Sequence, residues 1–480
     1  MYLKTVKEIN LKAFQLQKNA LALVKYQLPN FYNKPQVHTQ FPTEAHLAAM
    51  QAPNQAFDQD LPYYQRLSEH LDCKWSMGNY LVDVEGNCIL DLNASSSGNV
   101  LGYQHDAFQR DLMDSELYDR FVTKKQKLED LSPSELADLI REQAMPSAPE
   151  GLIHVHVGSG SSGTEANELA INAALNHYAK EHGKSIENLV VLGFNNSNHG
   201  SSTVTLSCSS ADVNTEEVPT LNWPRAPFPQ LKYPFAEHEH ENQAEEKRCI
   251  DAVKDMLKAQ SASGKEVAAI IVEPISSISN QMATPVFFKT LRSIAKSEGI
   301  AFIVDETKTG LGQTGKYWGH QHWFMSGDQV PDYVTFGGKS GISGFYASQS
   351  HKLNDEATSV QGELNLHSLI RYGQIFKITQ NLNLLHLLGD TSLYLRLELE
   401  RIEKELRLIS NIRGYGTHLA FDLRTPEKCD SVQRWLWHTG VNTHKCGPKQ
   451  LALRPSLTLS IEDASQLRKN LQYYTPHFQK

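Results

Sequence analysis

Two residues at the ends of predicted strands could together bind an electron-accepting cofactor. Asp305 ends an apolar run at 301–304, and Lys339 lies in the glycine-rich segment 337–341, after a second run. A lysine amine can form a Schiff base with the aldehyde of pyridoxal phosphate. An acid can keep the pyridine nitrogen protonated, so that the ring accepts electrons. The alternative is a surface lysine that follows a strand. Because the acid and a phosphate-loop sequence accompany Lys339, the pattern favours the cofactor interpretation.

A glycine- and serine-rich loop could bind the phosphate of such a cofactor. Residues 159–167, with the sequence SGSSGTEAN, follow a predicted strand and precede a helix predicted over 168–178. Small residues let backbone N–H groups approach an anion, and the helix terminus adds a partial positive charge. The alternative is an ordinary N-capping loop.

Other polar residues allow fewer conclusions. Glu273 ends the run at 267–272, where it could face a substrate or pair with an arginine such as Arg454; a plain strand-terminal glutamate is the alternative. No metal site is predicted, because three histidine pairs lack cysteines or carboxylates at ligand spacing. These pairs are His154/His156, His238/His240 and His320/His322.

A sheet must position these residues. Between about residues 105 and 345, β-branched runs at 152–157, 189–192, 267–272 and 301–304 alternate with helical stretches. Runs that are apolar on both faces and separated by helices predict an α/β fold with a buried, mainly parallel sheet. Ligands bind at the carboxyl ends of the strands in such folds, where Asp305 and Lys339 lie.

The flanking regions show simpler patterns. A hairpin is predicted over 78–92 around Glu85-Gly86-Asn87, a long helix over 382–409, and a smaller α+β segment over 414–480. The chain of 480 residues suggests two or three lobes. We expect an N-terminal extension (1–30), the first part of a small domain (31–104), a large cofactor-binding domain (105–345) and the rest of the small domain (346–480).

The bulk composition predicts a soluble globular protein. The net charge of −8 gives no indication of nucleic-acid binding, and no apolar stretch reaches the roughly 18 residues that span a bilayer. Six scattered cysteines suit a reducing compartment. Residues 1–30 are rich in lysine and contain one acid, Glu8. They are compatible with a mitochondrial transit peptide or with an amphipathic docking helix.

Three longer stretches identify a family resemblance. They are GNYLVDV at 78–84, WPRAPFPQLKYP at 223–234 and TGKYWGHQHW at 314–323. From about Gly78 to the C-terminus, the chain resembles the class III, fold-type I pyridoxal-phosphate aminotransferases, in particular the mitochondrial 4-aminobutyrate aminotransferases.

This resemblance implies a seven-stranded, mainly parallel sheet flanked by helices, a smaller α+β domain from both chain ends, and a homodimer in the mitochondrial matrix. It implies amino-acid and 2-oxo-acid substrates. Lys339 resembles the Schiff-base lysine, and Asp305 resembles the partner of the pyridinium. Gly163 and Thr164 resemble the phosphate contacts. The resemblance also implies that Glu273 and Arg454 form the pair that switches such enzymes between an ω-amino acid and 2-oxoglutarate.

The chain departs from the family near the cofactor. Asn198-His199-Gly200 replaces an aromatic–His–Gly motif, whose ring stacks on the cofactor. Ser201 stands where the 4-aminobutyrate enzymes have an arginine for the substrate carboxylate. Lys308 stands where the family has a glutamine near the cofactor's phenolic oxygen.

Further departures lie outside these positions. Ile278-Ser279 replaces a Gly-Gly pair. The threonine that reaches a neighbouring subunit's phosphate is not evident in 363–367, and Ser162 and Glu165 replace the Cys-x-x-Cys of some animal members.

Two hypotheses follow from these departures. One is an aminotransferase with altered substrate preference, in which Lys339 also moves protons. The other is a catalytically degenerate homologue that serves as a structural or interaction subunit, for example within a mitochondrial assembly.

Overall fold

The computed structural model describes residues 32–38, 74–108, 119, 131–210, 218–352 and 364–478. Contacts divide the chain into a small unit, Met1–Glu116 with Ile378–Lys480, and a large unit, Leu117–Lys377. The expected N-terminal extension, residues 1–30, lies outside the described residues. None of the helices in the described ranges has the length and apolar character that crossing a bilayer requires.

The strands of the described chain are short. In order, they are β1 (Tyr80–Val82), β2 (Cys88–Asp91), β3 (Leu152–Val157), β4 (Leu189–Phe194), β5 (Arg225–Ala226), β6 (Glu266–Val272), β7 (Ala301–Asp305), β8 (Tyr333–Phe336), β9 (Gly344–Ser348), β10 (Ile409–Tyr415), β11 (His418–Leu423), β12 (Val441–Asn442), β13 (His444–Gly447) and β14 (Gln450–Leu453).

The α-helices lie between and after these strands. They are α1 (Pro133–Ala144), α2 (Gly163–His182), α3 (Thr203–Cys208), α4 (Glu239–Ala262), α5 (Pro285–Ser297), α6 (Leu366–Asn381), α7 (Leu384–Leu406), α8 (Pro426–His438) and α9 (Ile461–Phe478).

One seven-stranded sheet organises the large unit, in the order β3-β9-β8-β7-β6-β4-β5. Neighbouring strands from β8 to β5 in this order are parallel, whereas β9 is antiparallel to both β3 and β8. Ile270, Ile271 and Ile303 at the sheet centre are fully buried. Helices α2, α4 and α5 pack against the strands. This arrangement confirms the predicted α/β fold with a mainly parallel sheet.

Helix α2 begins earlier than the predicted 168–178. The Ser162 hydroxyl accepts a hydrogen bond from the Glu165 N–H and caps the helix, which ends before Gly183 in the left-handed conformation (φ 64°). Gly163 and Thr164 therefore lie in the first turn, where N–H groups have no partner inside the helix.

The small unit contains a three-stranded sheet, β1-β2-β12, and a four-stranded sheet, β10-β11-β14-β13. β1 and β2 form the predicted hairpin. The helix predicted over 382–409 is shorter, because Asn383 and Arg407 adopt left-handed conformations at its two ends and Ile409 already begins β10. Leu395 and Leu399 of this helix pack in a buried apolar cluster with Phe421.

Contacts and the predicted domain ranges divide the chain at different places. β9 extends from Gly344 to Ser348 and pairs with β3 and β8, so the predicted boundary between 345 and 346 falls within a strand. The contact boundaries follow residues 116 and 377 instead of 104 and 345. Apolar runs identify the strands, but they do not show which unit the connecting segments pack against.

Candidate active site

Asp305 lies at the carboxyl end of β7, with its side chain fully buried. Its Oδ1 accepts hydrogen bonds from the Thr307 N–H (3.0 Å) and the Thr307 hydroxyl (2.6 Å). Its Oδ2 accepts from Asn167 Nδ2 (2.8 Å) and from His199 Nδ1 (2.8 Å). These donors fix Asp305 in orientation and favour its charged form.

His199 and Asp305 form a buried ion pair. Burial alone would raise the pKa of Asp305, but its donors, His199 first, hold that pKa below its usual value. Burial alone would lower the pKa of His199, but the hydrogen bond and charge of Asp305 outweigh it, so this pKa lies above its usual value. Each partner therefore favours the charged form of the other.

Asn167 joins three elements around this pair. It is fully buried in α2, and its Nδ2 donates to both Asp305 Oδ2 and the His199 carbonyl (2.8 Å each). Its Oδ1 accepts from the Thr335 hydroxyl of β8 at 2.7 Å. Because the Asp305 carboxylate and the His199 carbonyl can only accept, only one orientation of the amide satisfies all three bonds.

Lys339 follows β8 and is 7% exposed. Its Nζ donates to the Lys308 carbonyl at 2.6 Å and to Gln313 Oε1 at 3.2 Å. Both acceptors belong to the segment that follows Asp305. Since β7 and β8 are parallel neighbours, with Asp305 opposite Thr335, the acid and the lysine lie at the same edge of the sheet.

The lysine segment packs directly on the loop before α2. The Gly338 N–H donates to the Ser161 carbonyl at 2.6 Å, and the Ser343 N–H donates to the Gly160 carbonyl at 3.0 Å. A Cβ on Gly337 would lie 2.7 Å from the Ser162 carbonyl oxygen, so only glycine allows this approach. The loop and Lys339 therefore share one site.

The first turn of α2 offers N–H groups to an anion. Within the described chain, the amides of Gly163 and Thr164 donate to no other atom. A Cβ on Gly163 would come within 3.1 Å of Thr307, which packs against this turn. Open amides at the start of a long helix, next to a buried lysine amine and a buried carboxylate, fit a phosphorylated pyridine aldehyde.

Comparison with protein families matches residues 63–474 to the class III aminotransferases. The chain is a class III aminotransferase. Enzymes of this family are transaminases that use pyridoxal phosphate to act on amino and 2-oxo acids, and the donors and acceptors around Asp305 and Lys339 fit that cofactor.

Similar proteins span most of the chain. A 4-aminobutyrate aminotransferase from Dictyostelium discoideum is 33% identical over 467 residues, which cover 91% of this chain and 90% of the relative. The mitochondrial 4-aminobutyrate aminotransferase from Homo sapiens is 32% identical, with 81% of each chain covered. The structure of lysine aminotransferase from M. tuberculosis has a TM-score of 0.74 at 23% identity, covers 90% of this chain and 98% of its own, and supports the fold.

Glu273 of the aminotransferase is buried beside the ion pair. Its Oε2 accepts long bonds of 3.3 Å from the N–H groups of Asn198 and Ser277, and its Oε1 contacts no donor in the described residues. Burial raises the pKa of Glu273 to about 7, although the charge of His199 opposes the shift. Arg454 follows β14 in the small unit, and its pairing with Glu273 stays a prediction.

Two departures from the family have clear structural settings. Asn198 Oδ1 accepts from the Gly200 N–H at 3.1 Å and shapes the turn that carries His199. The Ser201 N–H donates to Thr164 Oγ1 at 3.2 Å, so Ser201 lies beside the first turn of α2. Asn198 and Ser201 thus present neutral polar groups where the family has an aromatic ring and an arginine.

Lys308 contributes its backbone to the site. Its side chain is exposed, whereas its carbonyl accepts the hydrogen bond from Lys339. The sequence left open whether its cation would hold the cofactor's phenolic oxygen or crowd the site. The hydrogen bond between the Lys308 carbonyl and Lys339 depends on neither effect.

The segment that replaces the family's Gly-Gly pair forms a tight turn. The Asn280 N–H donates to the Ser276 carbonyl at 2.8 Å, and Asn280 adopts a left-handed conformation (φ 49°). Asparagine tolerates this conformation better than most residues, so Asn280 supplies the backbone freedom that Ile278-Ser279 lacks.

Sequence reasoning missed three residues that contact the predicted ones. Asn167 and Thr307 donate to Asp305, and Gln313 accepts from Lys339. Asn167 ended the predicted loop 159–167, which placed it near the cofactor but indicated no partner for its amide. Gln313 lies in a glycine-rich stretch without periodicity, and nothing in its sequence context indicates a contact with Lys339.

Proposed function

We propose that this aminotransferase transfers an amino group from an ω-amino acid of the 4-aminobutyrate type to a 2-oxo acid, with pyridoxal phosphate attached to Lys339. The observation that carries the proposal is the placement of the Lys339 amine and the charged Asp305 at adjacent strand ends. The names of relatives at 33% and 32% identity support the substrate class.

Each residue has a distinct role in this proposal. Asp305 would hold the ring nitrogen, and the amides of Gly163 and Thr164 would hold the phosphate. Pyridoxal phosphate, when bound, supplies a ring that takes up electrons from the carbon bearing the substrate amine. The Lys339 amine accepts the proton from that carbon and later returns one. The hydrogen bond from His199 favours the ionised form of Asp305.

The first experiment is cofactor trapping. Purified protein is incubated with pyridoxal phosphate, its visible spectrum is recorded, and borohydride reduction with peptide mass mapping locates the label. We expect a violet-absorbing band and label on Lys339, both lost in Lys339→Ala and kept in Lys254→Ala, which changes an exposed lysine of α4. Label spread over surface lysines would contradict the proposal and favour the degenerate-subunit hypothesis.

The substrate class has its own test. Ser201 lacks the charge that binds a carboxylate, and a charge-assisted hydrogen bond contributes about 1.5–3 kcal/mol, or about ten- to a hundredfold in binding. We expect wild-type protein to have a high KM for 4-aminobutyrate and Ser201→Arg to lower it by such a factor. Ser201→Gln, which is long but neutral, is the matched control. Equal KM values in all three proteins would refute the proposed role of position 201.

We also propose a homodimer in the mitochondrial matrix. The family resemblance supports the dimer, and the names of mammalian relatives support the compartment. Light scattering of the eluted protein should give twice the chain mass of 53.9 kDa. Imaging of the protein with and without residues 1–30 tests whether that segment directs it to mitochondria. A monomer would contradict the dimer, and full-length protein outside the mitochondria would contradict the compartment.

A further inference from the structure

The segment between Asp305 and Gln313 contains a backbone conformation that L-residues rarely adopt. Leu311 has a φ of 66° and is 1% exposed, and Gly312 follows with a φ of 105°. A branched, buried side chain in the left-handed region is unfavourable, so the surrounding contacts must enforce it. Strained backbone of this kind concentrates where a protein holds functional groups in fixed positions.

A buried carboxylate enforces the path of this segment. One oxygen of Glu306 accepts from the N–H and from Nδ1 of His320, both at 2.7 Å. The other oxygen accepts from the Thr309 hydroxyl at 2.5 Å. The Glu306 carbonyl also accepts from the Gly310 N–H at 2.9 Å. These bonds tie the start of the turn to His320, in the helical segment that begins at Gly319, and they fold Thr309 and Gly310 back onto Glu306.

The turn presents two acceptors to one amine. The Lys308 carbonyl lies 2.6 Å from Lys339 Nζ, and Gln313 Oε1 lies 3.2 Å from it. Gln313 itself is 1% exposed, and burying an amide costs free energy unless the amide is hydrogen-bonded. Neither acceptor carries a charge, so they orient the amine without the strong preference for its protonated form that a carboxylate would impose.

We infer that Gln313 is a positioning residue that, together with the Lys308 carbonyl, orients the Lys339 amine for attack on the cofactor aldehyde. In that step the neutral amine adds to the aldehyde carbon, and one water molecule leaves as the C=N bond forms. The strained turn from Glu306 to Gln313 thus holds both acceptors within hydrogen-bond distance of the amine. The inference rests on the cofactor attachment proposed above.

The test measures the rate of violet-band formation with pyridoxal phosphate between pH 6 and 10. Gln313→Leu removes the acceptor, and we expect the plateau rate at high pH to fall about tenfold, as the loss of one oriented hydrogen bond would give. Gln313→Glu keeps an oxygen at the same reach but adds a charge. It should retain the plateau and move the profile about one pH unit upward, because a carboxylate favours the protonated amine.

Controls separate positioning from a structural effect. Gln321→Leu changes a glutamine of the same region whose Oε1 accepts from the Trp318 N–H, and it should match wild type in both plateau and profile. Acetic anhydride labelling of Lys339 without cofactor, followed by peptide mass spectrometry, should show the same upward shift in Gln313→Glu.

The outcomes distinguish the two proposals. Wild-type protein that forms no band on Lys339 would overturn both. Wild-type attachment with an unmoved profile in Gln313→Glu would overturn the positioning role alone, as would an unchanged plateau in Gln313→Leu. If Gln313→Leu does not fold, the Gln313→Glu profile decides by itself.

Discussion

Asn167 offers the sharpest test of how the site is built. Alanine at this position removes the donor to Asp305 and leaves the His199 carbonyl and the Thr335 hydroxyl without their partner. A hydrogen bond to a charged group contributes about 1.5–3 kcal/mol, and each buried group left unsatisfied costs about 1–3 kcal/mol. Since these terms overlap, we expect Asn167→Ala to destabilise the large unit by about 3–6 kcal/mol.

Thermal unfolding followed by fluorescence measures this loss. At about 2 °C per kcal/mol for a unit of this size, Tm should fall by about 6–12 °C. Asn176→Ala on the exposed face of the same helix should change Tm by about 1 °C at most. Asn167→Asp keeps the shape but faces the Asp305 carboxylate, so its destabilisation should grow from pH 5 to pH 8 as the new acid ionises. A Tm for Asn167→Ala equal to that of the control would refute the reasoning.

Three further changes test other parts of the large unit. The pKa of Glu273 is about 7 in the folded protein, against 4.5 ordinarily. Between these pH values the folded protein binds a proton that the unfolded chain does not bind, so the contribution of Glu273 to stability falls as pH rises through that window. The Tm of Glu273→Gln minus the Tm of wild type should therefore increase from pH 5 to pH 8, and a difference that stays constant would contradict the raised pKa. Asp332→Ala removes the bidentate partner of buried Arg292 (2.7 and 2.9 Å), so a loss of about 3–5 kcal/mol is expected in thermal unfolding, and a loss below about 1 kcal/mol would refute it. Asn280→Val should be about 1–2 kcal/mol less stable than Asn280→Gly, because both variants lose the buried amide but only valine resists the left-handed backbone; equal Tm values in the two variants would show that the turn relaxes.

The fold could be predicted because the central strands of its large sheet are apolar on both faces. The runs at 152–157, 189–192, 267–272 and 301–304 coincide with strands β3, β4, β6 and β7, to within two residues at each end. The antiparallel insertion of β9 could not be predicted, since pairing direction depends on the path of the connections. The ends of α7 were missed because Asn383 and Arg407, two non-glycine residues, take left-handed conformations.

Lys339 and Asp305 could be picked out from sequence because strand ends converge in a parallel sheet. Their amide partners could not, because Asn167 meets Asp305 across 138 residues of sequence and Gln313 meets Lys339 across 26. Side-chain amides also carry no periodic signal. The setting of Lys308 shows a further difficulty: a substitution in sequence does not reveal that the backbone, not the side chain, makes the contact.

The pairing of the Gly160 and Gly338 loops has a consequence for how the chain is made. The loop before α2 accepts hydrogen bonds from Gly338 and Ser343. These bonds can form only after roughly 180 further residues have been synthesised, which takes about 10–40 s. The large unit is continuous and ends at Lys377, whereas the small unit needs both chain ends. On the ribosome, the large unit can therefore finish folding while the small unit still lacks most of its buried apolar cluster.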